Sequence, residues 1–132
     1  RLISRIGHGL VVLVGVGVGD TEEDVEYLAA KLSGLRVFED SNGKMNLSLE
    51  EVRGQMLLVS QFTLYGDCRK GRRPSFDQSA GAEMAQRLYN LLVESLRCKG
   101  IVVAEGKFQE RMLVELANDG PVTILLDSKR HF

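Results

Sequence analysis

The chain has 132 residues, 17 basic against 18 acidic, with 44% apolar and 27% charged, the size and composition of one globular domain with its own core. Its longest apolar run, Leu10 to Gly19, is too short and too rich in glycine to span a bilayer. No charged leader runs into a small-residue cleavage site, and two cysteines, Cys68 and Cys98, are normal for a reducing compartment, so a cytoplasmic protein without a membrane partner is expected.

"GLVVLVGVGV" reads as a buried strand. Asp20 or Thr21 can cap a helix whose first turn carries Glu22, Glu23 and Asp24. Val25, Leu28, Ala29 and Leu32 recur on one face of it and Gly34 ends it. "LRVF" is a short strand, and "DSNGKM" holds an Asn-Gly turn. "QMLLVSQFTL" is a second buried strand, followed by a loop from Tyr65 to Pro74. A second helix is expected from about Gly81 to Lys99, with Met84, Leu88, Leu91, Leu92 and Leu96 at helical spacing and Gly100 as its stop. "IVVAE", "RMLVELA" and "VTILLD" complete the strands. The expectation is an α/β single domain spanning 1–132, in which a mixed, largely antiparallel sheet packs with two main helices. The first residue is Arg1, and a further amino-terminal strand is expected to precede it.

Two features suggest chemistry that the residues do not sustain. "GVGVGD" stands between a strand and a helix, yet its spacing is not that of a dinucleotide loop. The helix behind it opens on three carboxylates, where a pyrophosphate needs bare N–H groups. His8 and His131 lie near opposite ends of the chain, which leaves a histidine-based triad little to build with. Neither they nor the cysteines have metal-ligand spacing, and no metal or cofactor is expected. An enzyme here must work without the usual base or ion.

The net charge of −1 predicts no nucleic-acid partner. Its distribution is uneven, because Arg69, Lys70, Arg72 and Arg73 cluster in "CRKGRRPSF". That cluster is either a solvated loop or, beside a reactive site, a phosphate-binding one. In "SQFTLYGD", continued strand alternation puts Ser60 and Phe62 on one face and Gln61 and Thr63 on the other. The polar pair either emerges into solvent or, if buried, needs partners, since an unmatched polar group costs about 1–3 kcal/mol.

"VSQFTLYGD", "GRRPSF", "GKFQERM" and "NDGPVTILLD", in this order and with "LRVFED" and "GKMN" ahead of them, resemble the D-aminoacyl-tRNA deacylase family over nearly the whole chain. The chain departs from the family pattern in lacking an opening strand segment, and in having Gln109-Glu110 where many members read Gly-Ala. The resemblance implies a homodimer with an active site at each end of the interface. It implies hydrolysis of the ester joining a D-amino acid, or glycine mischarged on tRNA(Ala), to the terminal ribose of tRNA. Carried over to this chain, it gives Ser60, Gln61, Phe62 and Thr63 as catalytic residues. Gly120 and Pro121 become a Gly-cis-Pro motif inserted into the partner subunit's site. Phe108 and Asn118 are expected to touch substrate, as are Phe76 and Met112, for which packing in the core is the alternative. With an active site there, the reading of Arg69, Lys70, Arg72 and Arg73 tips towards phosphates of the tRNA acceptor end.

Apolar fit discriminates by only about 1–3 kcal/mol, so rejection of L-amino acids is better built as a rigid wall of backbone carbonyls. Gly120 would let such a wall approach the ligand. An aminoacyl ester is labile, so the acceleration required is modest. Two schemes fit the residues: water assisted by the substrate's 2′-hydroxyl, with N–H groups around Phe62 and Thr63 holding the oxyanion, or Thr63 as nucleophile. The rival functions are a related deacylase for mischarged L-aminoacyl-tRNA, and a non-enzymic RNA-binding module.

Overall fold

A computed structural model describes residues 1–132. The strand β1, Gly9–Val14, begins the main sheet and is followed by helix α1, Glu22–Gly34. Thr21 caps α1 and its N–H donates to Asp24 Oδ2 at 2.8 Å. Val25, Ala29 and Leu32 are the buried stripe of that helix, as the spacing predicts. The short strands β2, Phe38–Glu39, and β3, Met45–Leu47, form an antiparallel hairpin around the Asn42-Gly43 turn. β4 runs from Gln55 to Ser60, α2 from Ala82 to Cys98 and β5 from Val103 to Glu105. α2 buries Leu88, Tyr89, Leu92, Val93 and Leu96, whereas Met84 at its start is exposed.

The main sheet has the order β1-β4-β5 and is parallel throughout. β1 pairs with β4 from Gly9 beside Gln55 to Val14 beside Ser60. β5 lies on the other side of β4, from Met56 beside Val103 to Leu58 beside Glu105. This corrects the expectation of a largely antiparallel sheet. Only the hairpin is antiparallel, because only its strands are joined by a tight turn. A helix separates β1 from β4 and another separates β4 from β5, and each such crossover returns the chain to the same end of the sheet.

The helices pack on one face, where Met56 and Leu58 of β4 and Leu96 of α2 are fully buried. Tyr89 belongs to the same core, and its hydroxyl donates to the Leu58 carbonyl at 2.9 Å. The other face of the sheet, with Val11, Leu13 and Leu57, is only partly covered, and Leu13 is 42% exposed. No helix is long and apolar enough to cross a membrane.

"RMLVELA" and "VTILLD" are not strands in this chain. Between Met112 and Leu126 no main-chain group bonds to another main-chain group, and Leu113 and Leu125 are 86% and 70% exposed. Their alternation marks a surface that needs covering, and one chain provides no strand to cover it. The segment is tied down at its far end. Lys129 Nζ reaches Asp24 Oδ1 at 2.9 Å and Asp20 Oδ1 at 3.6 Å. Burial pushes the Asp24 carboxyl up, but hydrogen bonds from Lys129, the Thr21 N–H and Ser128 outweigh it and hold the group at about 2.

The Leu58 carbonyl also accepts from the Gly106 N–H at 3.3 Å, so removing the tyrosine hydroxyl does not orphan it. Tyr89→Phe is therefore expected to cost about 1 kcal/mol, read as a lower urea midpoint with an unchanged slope.

Candidate active site

Parallel strands of an open sheet present their ligand-binding loops at the carboxyl ends, here Val14, Ser60 and Glu105. The Gln61 N–H takes the Val14 carbonyl at 2.7 Å, the last rung between β4 and β1. Beyond it the chain curls into a 3-10 turn, Phe62–Tyr65. The expected alternation of Ser60 to Thr63 is thereby corrected, because the strand stops at Ser60. Gln61 and Thr63 still meet, with Gln61 Nε2 donating to Thr63 Oγ1 at 3.0 Å.

The Phe62 and Thr63 N–H groups lie at the start of the turn and make no hydrogen bond within the chain. Such donors are the orphans of any helical turn and are available to an anion. Phe62 is 57% exposed and meets Phe76 edge-on, with ring centroids 5.0 Å apart. No ionisable side chain bonds to Thr63. His8 precedes β1 at the opposite end of the sheet and packs edge-on to Phe38. His131 pairs with Asp127 at 3.0 Å, a contact of i,i+4 spacing that the sequence reading passed over. Cys68 and Cys98 are both free and exposed.

The loop after β5 brings Met112 back over Gly106, with the Met112 sulfur accepting from the Lys107 N–H at 3.2 Å. A side chain on Gly106 would meet both Met112 and Val59, which sets Met112 beside the carboxyl end of β4. Phe108 packs against the core, its ring 6.3 Å from that of Tyr89. Asn118 is committed on both sides, accepting from the Val122 N–H and donating to Thr123 Oγ1, each at 3.0 Å. It closes the turn that carries Gly120 and Pro121. Their peptide bond is cis, and Gly120 has a φ of +136°, where a Cβ would approach Val122 to 2.9 Å. No hydrogen bond links this turn to Ser60–Thr63 of the same chain.

The four basic residues are not equivalent. Asp67 and Ser75 exchange main-chain hydrogen bonds and close the loop between them. Arg69 grips the Asp67 carboxylate with two nitrogens, at 2.9 and 2.6 Å. Hydrogen bonds from its side chain and N–H hold that carboxylate at about 2. Lys70, Arg72 and Arg73 are exposed and make no ion pair. Sequence clustering revealed the patch but not the pairing within it.

The family described as D-Tyr-tRNA(Tyr) deacylase matches residues 1–127. Among curated relatives, a D-aminoacyl-tRNA deacylase of Desulforamulus reducens is 54% identical over 132 residues, covering 100% of this chain and 89% of that protein. One of Thermotoga petrophila is 58% identical with the same coverage. A solved structure described as a c-Myc DNA Unwinding Element Binding Protein superposes with a TM-score of 0.88 at 41% identity, covering 95% of this chain and 85% of that one.

Gln109 has a φ of +62°, the left-handed region that favours glycine. An L residue there costs about 1–2 kcal/mol, partly offset by the freedom glycine adds to the unfolded chain. Gln109→Gly is expected to stabilise the protein by about 0.5 kcal/mol. Gln109→Val should destabilise it by more than that, both read from urea denaturation.

Proposed function

The chain belongs to the D-Tyr-tRNA(Tyr) deacylase family, and from that premise we propose how its residues perform the reaction. It is a hydrolase that cleaves the ester of D-aminoacyl-tRNA, releasing the D-amino acid and tRNA. Residues 1–132 act as one deacylase domain, which functions as a homodimer in the cytoplasm. Each site combines the Ser60–Thr63 turn of one subunit with the Gly120–Pro121 turn of the other. The observation that carries this reading is the pair of unengaged N–H groups at Phe62 and Thr63, at the carboxyl edge of the sheet.

Water attacks the ester carbonyl, and the oxyanion accepts hydrogen bonds from Phe62 and Thr63 N–H. Donors already fixed in place cost no reorganisation as charge develops. The carbon–oxygen bond to the ribose breaks, and the departing oxygen takes the proton. The substrate's neighbouring 2′-hydroxyl orients the water. Thr63 as nucleophile is the weaker scheme, because the group bonded to its Oγ1 is the Gln61 amide N–H, a donor that cannot accept its proton. Gln61 and Ser60 instead position the aminoacyl group, with Phe62, Phe76 and Met112 around it and Phe108 supporting the wall from the core side.

The selectivity wall is the Gly120–Pro121 turn, held closed by Asn118. An L side chain strikes its carbonyls and a D side chain points away. Glycine passes, so glycyl-tRNA(Ala) is also a substrate. Support for the dimer comes from the half-covered sheet face, since parallel sheets are ordinarily covered on both faces. The stretch from Met112 to Leu126, with exposed leucines and no hydrogen bond between main-chain groups, points the same way. Lys70, Arg72 and Arg73 bind phosphates of the acceptor end.

Ester loss from D-tyrosyl-, glycyl- and L-tyrosyl-tRNA tests the reading. Cleavage of the first two with the third spared is expected. Cleavage of the L form would instead make the protein a deacylase of mischarged L-aminoacyl-tRNA, and binding without cleavage would make it an RNA-binding module. For tRNA binding, replacing Lys70, Arg72 or Arg73 by Ala should each lower the slope of log K against log salt by about 1. Arg69→Ala should change it less, because Arg69 already neutralises Asp67.

A further inference from the structure

The glycines of "GVGVGD", which fit no nucleotide loop, have a different use. A Cβ on Gly17 would lie 2.5 Å from the Tyr65 hydroxyl and 2.8 Å from its ring, and one on Gly15 would lie 3.1 Å from the ring. Neither glycine has a left-handed φ, so close packing, not the backbone, favours them: a Cβ on Gly17 would meet the tyrosine, and one on Gly15 the tyrosine ring and the Leu64 Cβ, the latter at 3.2 Å. Tyr65 closes the 3-10 turn that begins at Phe62. In that turn Phe62, Thr63 and Leu64 are exposed, and Tyr65 alone is half-buried. Its ring lines a cavity of about 60 Å³ together with Val16, Asp20, Leu88, Leu126 and Asp127. The seat is itself rigid. Gly17 N–H donates to Asp20 Oδ2 at 2.8 Å, and Val18 and Ala80 bond across to Gln78 and Val16 at 2.9 Å each.

We propose that Tyr65, seated on Gly15 and Gly17, is a positioning residue that fixes the turn bearing the Phe62 and Thr63 N–H groups. The inference rests on the reading of that turn as the oxyanion site. Two main-chain donors at the end of a strand must be held within a fraction of an ångström to stabilise charge. Phe62, Thr63 and Leu64 are exposed, Phe62 meeting Phe76 at its edge, whereas the half-buried Tyr65 locks the carboxyl end of the turn to the β1–α1 loop. The hydroxyl is not required for this, because it makes no hydrogen bond within the chain.

The test is a double-mutant cycle on D-tyrosyl-tRNA deacylation, with kcat and KM measured separately and folding checked by thermal unfolding. Tyr65→Ala is expected to lower kcat on the order of ten- to a hundred-fold with KM little changed, and Tyr65→Phe to keep near wild-type kcat. Gly17→Ala, whose methyl would have the Tyr65 ring and hydroxyl as its nearest neighbours, should lower kcat similarly. The double variant should be no worse than either single one, because a methyl at position 17 has nothing to strike once the ring is gone. Tyr65→Leu serves if the alanine variant does not fold. Unchanged kcat in folded Tyr65→Ala or Tyr65→Leu, or losses that multiply in the double variant, would overturn the inference. Gln61→Ala separates this from the site reading. If it loses activity while the Tyr65 variants do not, only the positioning role fails. If both keep full activity, the site reading fails with it.

Discussion

The candidate site in this molecule depends on β4 running out of partners. Through Met56 and Leu58 the strand is bonded on both sides and fully buried. At Ser60 its neighbour β1 ends, and the following segment turns away to bridge Ser79 through Gly17. Gln61 takes the last free carbonyl of β1. A main chain with no further ladder must bond to itself, and a 3-10 turn is the shortest way to do so. The cost is that the opening N–H groups of the turn are left without acceptors. These free donors are thus produced by the end of a sheet and not by a dedicated loop.

This origin also explains what could and could not be read from the letters. α1 and α2 follow from caps, spacing and terminal glycines, and the hairpin from Asn42-Gly43. Parallel pairing was missed because a buried strand looks the same whichever way its neighbour runs. The end of β4 was missed because Ser60 to Thr63 alternate as a strand does, while the reason for stopping lies in β1, more than forty residues away in sequence. The carboxyl-terminal strands fail for a related reason, since a pattern says which side is apolar and not which molecule covers it. Arg69 reads like its neighbours until Asp67 is seen gripping it. For the chemistry itself, it was the order of whole blocks, Ser-Gln-Phe-Thr before Asn-Asp-Gly-Pro, that was informative, because no single residue type in them advertises a reaction.

Charge is distributed in keeping with this economy. A nearly neutral chain avoids broad attraction to nucleic acid, while Lys70, Arg72 and Arg73 keep a local positive field on one exposed loop. Arg69 is withdrawn from that field to close the loop. At the other end, Lys129 fastens the carboxyl-terminal segment to the acidic first turn of α1, where the helix dipole already favours the carboxylates.

The turn at Gly120–Pro121 bonds only to itself, with nothing of its own chain's Ser60–Thr63 to hold it. Under the shared-site arrangement, damage to one subunit's selectivity turn is felt in its partner's chemistry. Two defective chains, one unable to cleave for want of Gln61 and the other unable to discriminate for want of Gly120, would then complement one another in a hybrid pair. Each hybrid pair would hold one whole site and one doubly broken site. Inheritance of such alleles would show dominance relations that no monomeric hydrolase can produce.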